Sequence, residues 1–183
     1  KLEQRYDLTM AQIGIITLCF QLAASIFQPI VGAYTDKNPK PYSQVLGMFF
    51  SGMGIIVLAY APSYLWILVA VTLVGIGSSI FHPESSRVAF LASGGKRSLA
   101  QSIFQIGGNT GAAMAPLLVA WIVIPNDQHY IIWFLLIVLT AKAILFYIGK
   151  WYSKILKAEQ NGQKKTIVLP DLTQKQISIS VII

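Results

Sequence analysis

Few side chains in this sequence can do chemistry, and they fall in a small number of places. Asp36 and Lys40 stand four residues apart, and Glu84 and Arg87 stand three apart. The second spacing brings opposite charges onto one helical face, where they meet. His82 is a candidate for proton exchange near neutral pH, set against the plainer reading of a helix-terminal imidazole bonded to a backbone carbonyl before Pro83. Lys142 interrupts an apolar run, and an ammonium there is either functional or reaches along its own stem toward the headgroups, which Lys150 places roughly 12 Å further along a helix. The uncharged polar groups inside apolar runs are Gln21, Gln28, Ser78, Ser79, Gln101, Gln105, Asn109 and Thr110. No nucleophile stands beside a base, no acid is paired with a base across a site, and no glycine-rich loop cradles a phosphate. His82, His129 and Cys19 are too few to hold a metal. The available chemistry is ion pairing and proton exchange, so the sequence reads as no enzyme and as needing no cofactor or metal.

The elements that must position these groups are apolar. Hydrophobic residues make up 55% of the 183, and charged residues only 11%, against about 25% in a soluble domain. Residues 8–35, 41–83 and 98–126 contain no Asp, Glu, Lys or Arg. A charge-free stretch of about 18 residues or more crosses a hydrocarbon core as a helix. Thr9 is placed to cap the first such helix, Pro29 to kink it, and Ala61-Pro62-Ser63 to break the middle window into a hairpin of two spans. Pro125-Asn126-Asp127 makes the next turn, and Trp133, Trp151 and Tyr152 stand where interfacial aromatics are usual. The expectation is an all-α, polytopic membrane helix bundle, with spans at about residues 10–33, 43–60, 64–82, 98–124 and 130–150.

Charge placement orients the bundle. Eleven of the 14 basic residues belong to one side and two, Lys1 and Arg5, to the other, with Lys142 between them. The basic side is expected to be cytoplasmic. The net charge of +7 is spread over loops rather than gathered on one reading face, so no nucleic-acid partner is expected. Residues 154–176 form a polar cytoplasmic loop, and the apolar residues 177–183 read as the start of a further span. The chain opens on charged residues without Met, and a fragment of a larger protein is expected.

Three motifs carry a family resemblance. Gly32-Ala-Tyr-Thr-Asp36-Lys37-Asn-Pro39-Lys40 resembles the signature loop between the second and third helices of the major facilitator superfamily, with Pro39 where Gly is usual. Gly107, Gly111 and Ala115, followed by Pro116, set a small residue on one face at every turn, which lets two membrane helices pack closely. The same run resembles the fifth-helix motif of that superfamily's drug–proton antiporters, though Val119 and Ala120 replace a Gly pair. The stretch Phe81-His82-Pro83-Glu84-Ser85-Ser86-Arg87, continuing through Gly94-Gly95 to Gly108-Asn109, is similar to the segment joining the fourth and fifth helices of bacterial fosmidomycin-resistance transporters.

On that register residues 1–153 are an N-terminal half lacking its first span. The resemblance implies a multi-pass protein of the bacterial inner membrane that exports a fosmidomycin-like drug or small organic anion in exchange for protons, by alternating access between two halves. Its partners would be the small-molecule substrate, the proton, the lipid bilayer and the missing C-terminal half. It also implies roles for residues. Asp36, Lys40, Glu84 and Arg87 would form a cytoplasmic gate, Gly32, Gly107, Gly111, Ala115 and Pro116 would pack helices, Ser78, Ser79, Gln105 and Asn109 would line a substrate cavity, and His82 would be proton-linked. No carboxylate lies in the middle of a span, so the main proton carrier is expected elsewhere in the protein. Two alternatives stand beside this reading: a self-contained five-span scaffold or interaction protein, and an uptake symporter of the same superfamily.

Overall fold

The computed structural model describes residues 6–160, and among these every regular element is helical. Five helices follow one another: α1 (Met10–Lys37), α2 (Ser43–Ala59), α3 (Tyr64–Ala92), α4 (Arg97–Leu118) and α5 (Phe134–Gln160). A wide π turn, Val119–Val123, continues α4, and a 3-10 turn, Gln128–Trp133, leads into α5. All but α2, which has 17 residues, are long and apolar enough to cross a membrane. The expected central loop and further span, residues 161–183, lie outside the described residues.

Local chemistry sets the boundaries. Thr9 starts α1 through a reciprocal capping box, its hydroxyl accepting from the Gln12 amide at 3.3 Å while Gln12 Oε1 accepts from the Thr9 amide at 2.9 Å. Between α3 and α4 the chain turns on Gly94 and Gly95, with φ of +56° and +94°, a backbone region that other residues rarely enter. Pro29, Pro83 and Pro116 all lie inside helices, which membrane helices tolerate because neighbours re-satisfy the freed carbonyls. Helix α3 therefore passes Pro83 and ends only at Ala92, so His82 is not helix-terminal as expected. Past Pro116 the ladder widens, with the Ile124 amide donating to the Val119 carbonyl five residues back at 3.0 Å.

Helix α3 lies between α1 and α2, and two glycines allow it. Gly75 and Gly77 are two residues apart, about 200° around the axis, so they face opposite neighbours. A Cβ at Gly75 would stand 2.7 Å from the Phe20 carbonyl oxygen of α1, and one at Gly77 would stand 2.5 Å from the Gly47 carbonyl oxygen of α2. Lipid tails are as apolar as leucine, so close backbone packing rather than hydrophobic burial holds such helices together. Large apolar residues such as Ile30, Leu65 and Ile103 accordingly face outward. At the end of the bundle away from Lys40, Gln128 ties two turns together: its Nε2 donates to the Leu58 carbonyl at 2.6 Å, and its Oε1 accepts from the Tyr6 hydroxyl at 3.1 Å.

Candidate functional site at the basic end

Arg87 of α3 is the centre of a cluster that joins three helices. Its Nη1 donates to Glu84 Oε1, one turn back on the same helix, at 3.0 Å, and to the Thr35 carbonyl of α1 at 2.6 Å. Its Nη2 donates to Asp36 Oδ1. Tyr152 of α5 also lies beside the guanidinium. Thr35 belongs to the last turn of α1, where carbonyls lack partners within the helix and a cation complements the helix dipole. One planar group with five donors can serve all of these acceptors at once, which a lysine could not do.

The two carboxylates differ sharply in environment. Glu84 is 1% exposed and Asp36 72%. Glu84 therefore depends on Arg87 for its charge compensation, whereas water can solvate Asp36 if that pair opens. Beside them Gln44 of α2, buried, donates to the Ser85 hydroxyl at 3.2 Å. Its own Oε1 has no donor among the described residues.

Three of the four charges expected to cluster are thus brought together. Lys40 is the exception: it forms no ion pair among the described residues and lies in the link between α1 and α2. His82 is exposed on α3, its ring edge-on to Phe81 at 6.0 Å and to Phe104 of α4 at 6.5 Å. Gly32 meets Pro83 Cβ at ordinary contact distance, 3.9 Å for an added Cβ. Ser78 is half-buried, while Gln105 and Asn109 lie on the exposed surface of α4. Ser79 is buried and donates to the Ile76 carbonyl of its own helix at 2.7 Å. Lys142 is half-buried, with its ammonium 5.5 Å from the centre of the Phe49 ring of α2.

The small-residue face of α4 is unpacked among the described residues. A Cβ at Gly107 or Gly111 would meet nothing within 4 Å, and Ala115 and Pro116 are exposed. Helix α4 is held to α3 near one end, by Ser86 donating to Gln101 at 3.0 Å and by Arg97 stacked 3.9 Å from the Phe90 ring centre.

Sequence reasoning missed Tyr152, because a tyrosine following Trp151 near a span's end reads as an interfacial aromatic. The structure buries it to 2% exposure. It also missed the packing glycines of α2 and α3, although Gly47, Ser51 and Gly54 stand four and three residues apart on one face.

Residues 2–181 match the family model of the Major Facilitator Superfamily. The chain belongs to that superfamily. It is 48% identical over 184 residues to a protein named as an uncharacterized MFS-type transporter, YfnC, of Bacillus subtilis (strain 168), covering 99% of this chain and 45% of that protein. It is 48% identical over 180 residues to the fosmidomycin resistance protein of Escherichia coli (strain K12), covering 98% of this chain and 44% of that protein. The chain thus spans less than half the length of these curated relatives. No solved structure matches it. Superfamily membership and several apolar membrane-length helices make this a multi-pass membrane protein of a transporter family rather than of an enzyme family, one that in a bacterium lies in the inner membrane.

Proposed function

We propose that the protein carrying this chain is a secondary active transporter that exports a fosmidomycin-like drug or small organic anion in exchange for protons, by alternating access. The observation that carries the reading is the 48% identity, over 98% of the chain, to a protein named for fosmidomycin resistance. In this reading Arg87 links the end of α1 to α3 and α5, and Asp36 is the movable member of the cluster. Being exposed, Asp36 can exchange its partner for a cation or a facing helix N-terminus as the two halves rock, while the buried Glu84 keeps Arg87 in place. Helix α4 supplies one wall of the path through the face carrying Gln105 and Asn109, and a close approach for the rest of the protein through the opposite face, with Gly107 and Gly111. His82, exposed beside α4, is a secondary proton-linked group.

The test is resistance. The full-length protein, expressed in a drug-sensitive bacterium, should raise the concentration of fosmidomycin needed to stop growth, and a protonophore should abolish the accompanying drug efflux. Drug accumulation unchanged by expression, with membrane insertion verified, would remove the export reading. Efflux that survives collapse of the proton gradient would remove the coupling. Orientation is tested separately: a cysteine at Lys96 should react only from the cytoplasm and one at Asn126 only from outside.

A further inference from the structure

Lys40 falls outside the charge cluster and instead lines a groove of about 710 Å³, within the roughly 300–1,000 Å³ of small-molecule sites. Ile30 and Tyr34 of α1, Tyr42 and Leu46 from the start of α2, and Ile80 of α3 form its walls. Lys40 is the one charged residue of the lining. The nearby carboxylates that might have neutralised it, Asp36 and Glu84, are both engaged by Arg87.

The groove is a built feature. Its Tyr42 wall is held from behind by α5: a Cβ at Gly149 would stand 2.8 Å from the Tyr42 ring, and Phe146 lies 5.6 Å from that ring centre to centre. Thr35, also in the lining, donates its hydroxyl proton to the Val31 carbonyl of its own helix at 2.9 Å and so offers the groove no hydrogen-bond donor.

The dimensions match one class of occupant. Lys40 lies beyond the end of α1, and Ile30 lies seven residues inside that end at Lys37, so the groove runs about 10 Å along the helix axis. A cation at the level of a helix end above a concave apolar wall is complementary to an anionic headgroup above an acyl chain. We propose that this groove is a binding site for an anionic phospholipid, its phosphate on the Lys40 ammonium and the upper part of one acyl chain between Ile30 and Leu46. The site is independent of the export reading, because neither the substrate nor the proton takes part in it.

Native mass spectrometry of the full-length protein, released from detergent in equal amounts of palmitoyl-oleoyl phosphatidylglycerol and phosphatidylcholine, tests this. The wild type should retain the anionic lipid about fivefold over the zwitterionic one. Lys40→Glu should remove that preference, and Lys40→Arg should keep it. Leu46→Trp, which fills the groove, should reduce retention of both lipids; if it does not fold, Ile30→Trp closes the groove from the opposite wall. Equal retention of the two lipids by the wild type, or a preference that persists in Lys40→Glu, would overturn the proposal. So would unchanged retention in both groove-filling variants, the result expected if a protein segment covers the groove.

Discussion

The glycines of α3 and those of α4 are the same residue in opposite situations. Gly75 and Gly77 sit where the backbones of α1 and α2 come so close that a single added carbon would meet a carbonyl oxygen, whereas Gly107, Gly108 and Gly111 face open space. Helix α4 has no buried residue, and α3 has seven. A small-residue repeat therefore marks a surface on which a helix is able to pack, and it does not say whether the neighbour is present. In α3 the neighbours are at hand and glycine is a packing necessity. In α4 the same residue type is an opening that the rest of the transporter fills, on the reading proposed above.

Four substitutions would break or sharpen that contrast. The largest effect is expected from Gly77→Leu, whose side chain would drive into the Gly47 carbonyl oxygen and the Ser51 backbone nitrogen, atoms that cannot rotate away as a flexible side chain would. No monodisperse full-length protein should be recovered by size-exclusion chromatography. If Gly77→Leu eluted normally, the α2–α3 approach would be looser than described.

Arg87→Ala comes next. It strands the Glu84 carboxylate, 1% exposed, without its cation, at a cost of about 3 kcal/mol. Adding Glu84→Gln to it should recover part of the lost thermal stability, because the uncompensated charge goes with the carboxylate. No recovery in the double variant would mean that Arg87 stabilises chiefly through Thr35 and Tyr152.

Asp36→Asn removes the exposed half of the cluster and should lower stability by less than about 1 kcal/mol. On the gate reading it still slows transport severalfold while substrate binding is retained, since it alters the balance of states rather than the cavity. Normal transport by this variant would reduce Asp36 to surface charge. The smallest effect on packing within this chain belongs to Gly111→Leu, because an added Cβ there meets nothing within 4 Å among the described residues. Transport should nevertheless be lost if that face meets the remainder of the protein, and full activity would mean that it looks to lipid.

Much of the helical order was legible in the residues. Charge-free windows long enough to cross a membrane, Thr9 as a cap and Ala61-Pro62-Ser63 as a break depend on neighbours in the chain, and local chemistry of this kind can be read locally. The i, i+3 meeting of Glu84 and Arg87 was legible for the same reason. Element boundaries near proline were less so: α3 continues through Pro83 to Ala92, as a membrane helix can where its neighbours re-satisfy a freed carbonyl.

What the sequence by itself determined is an apolar, helical chain with most of its basic residues on one side and a superfamily signature around Asp36. Tertiary structure decided which of those charges meet. Arg87 reaches Thr35 and Asp36 across 51 or more positions of chain, and Tyr152 reaches Arg87 from another helix altogether. Lys40, four residues from Asp36, goes instead to the groove. The side on which a long polar group ends up depends on helix rotation and backbone approach. Those are set by pairs such as Gly77 with Gly47, whose two members lie 30 residues apart in a sequence that marks neither as the other's partner.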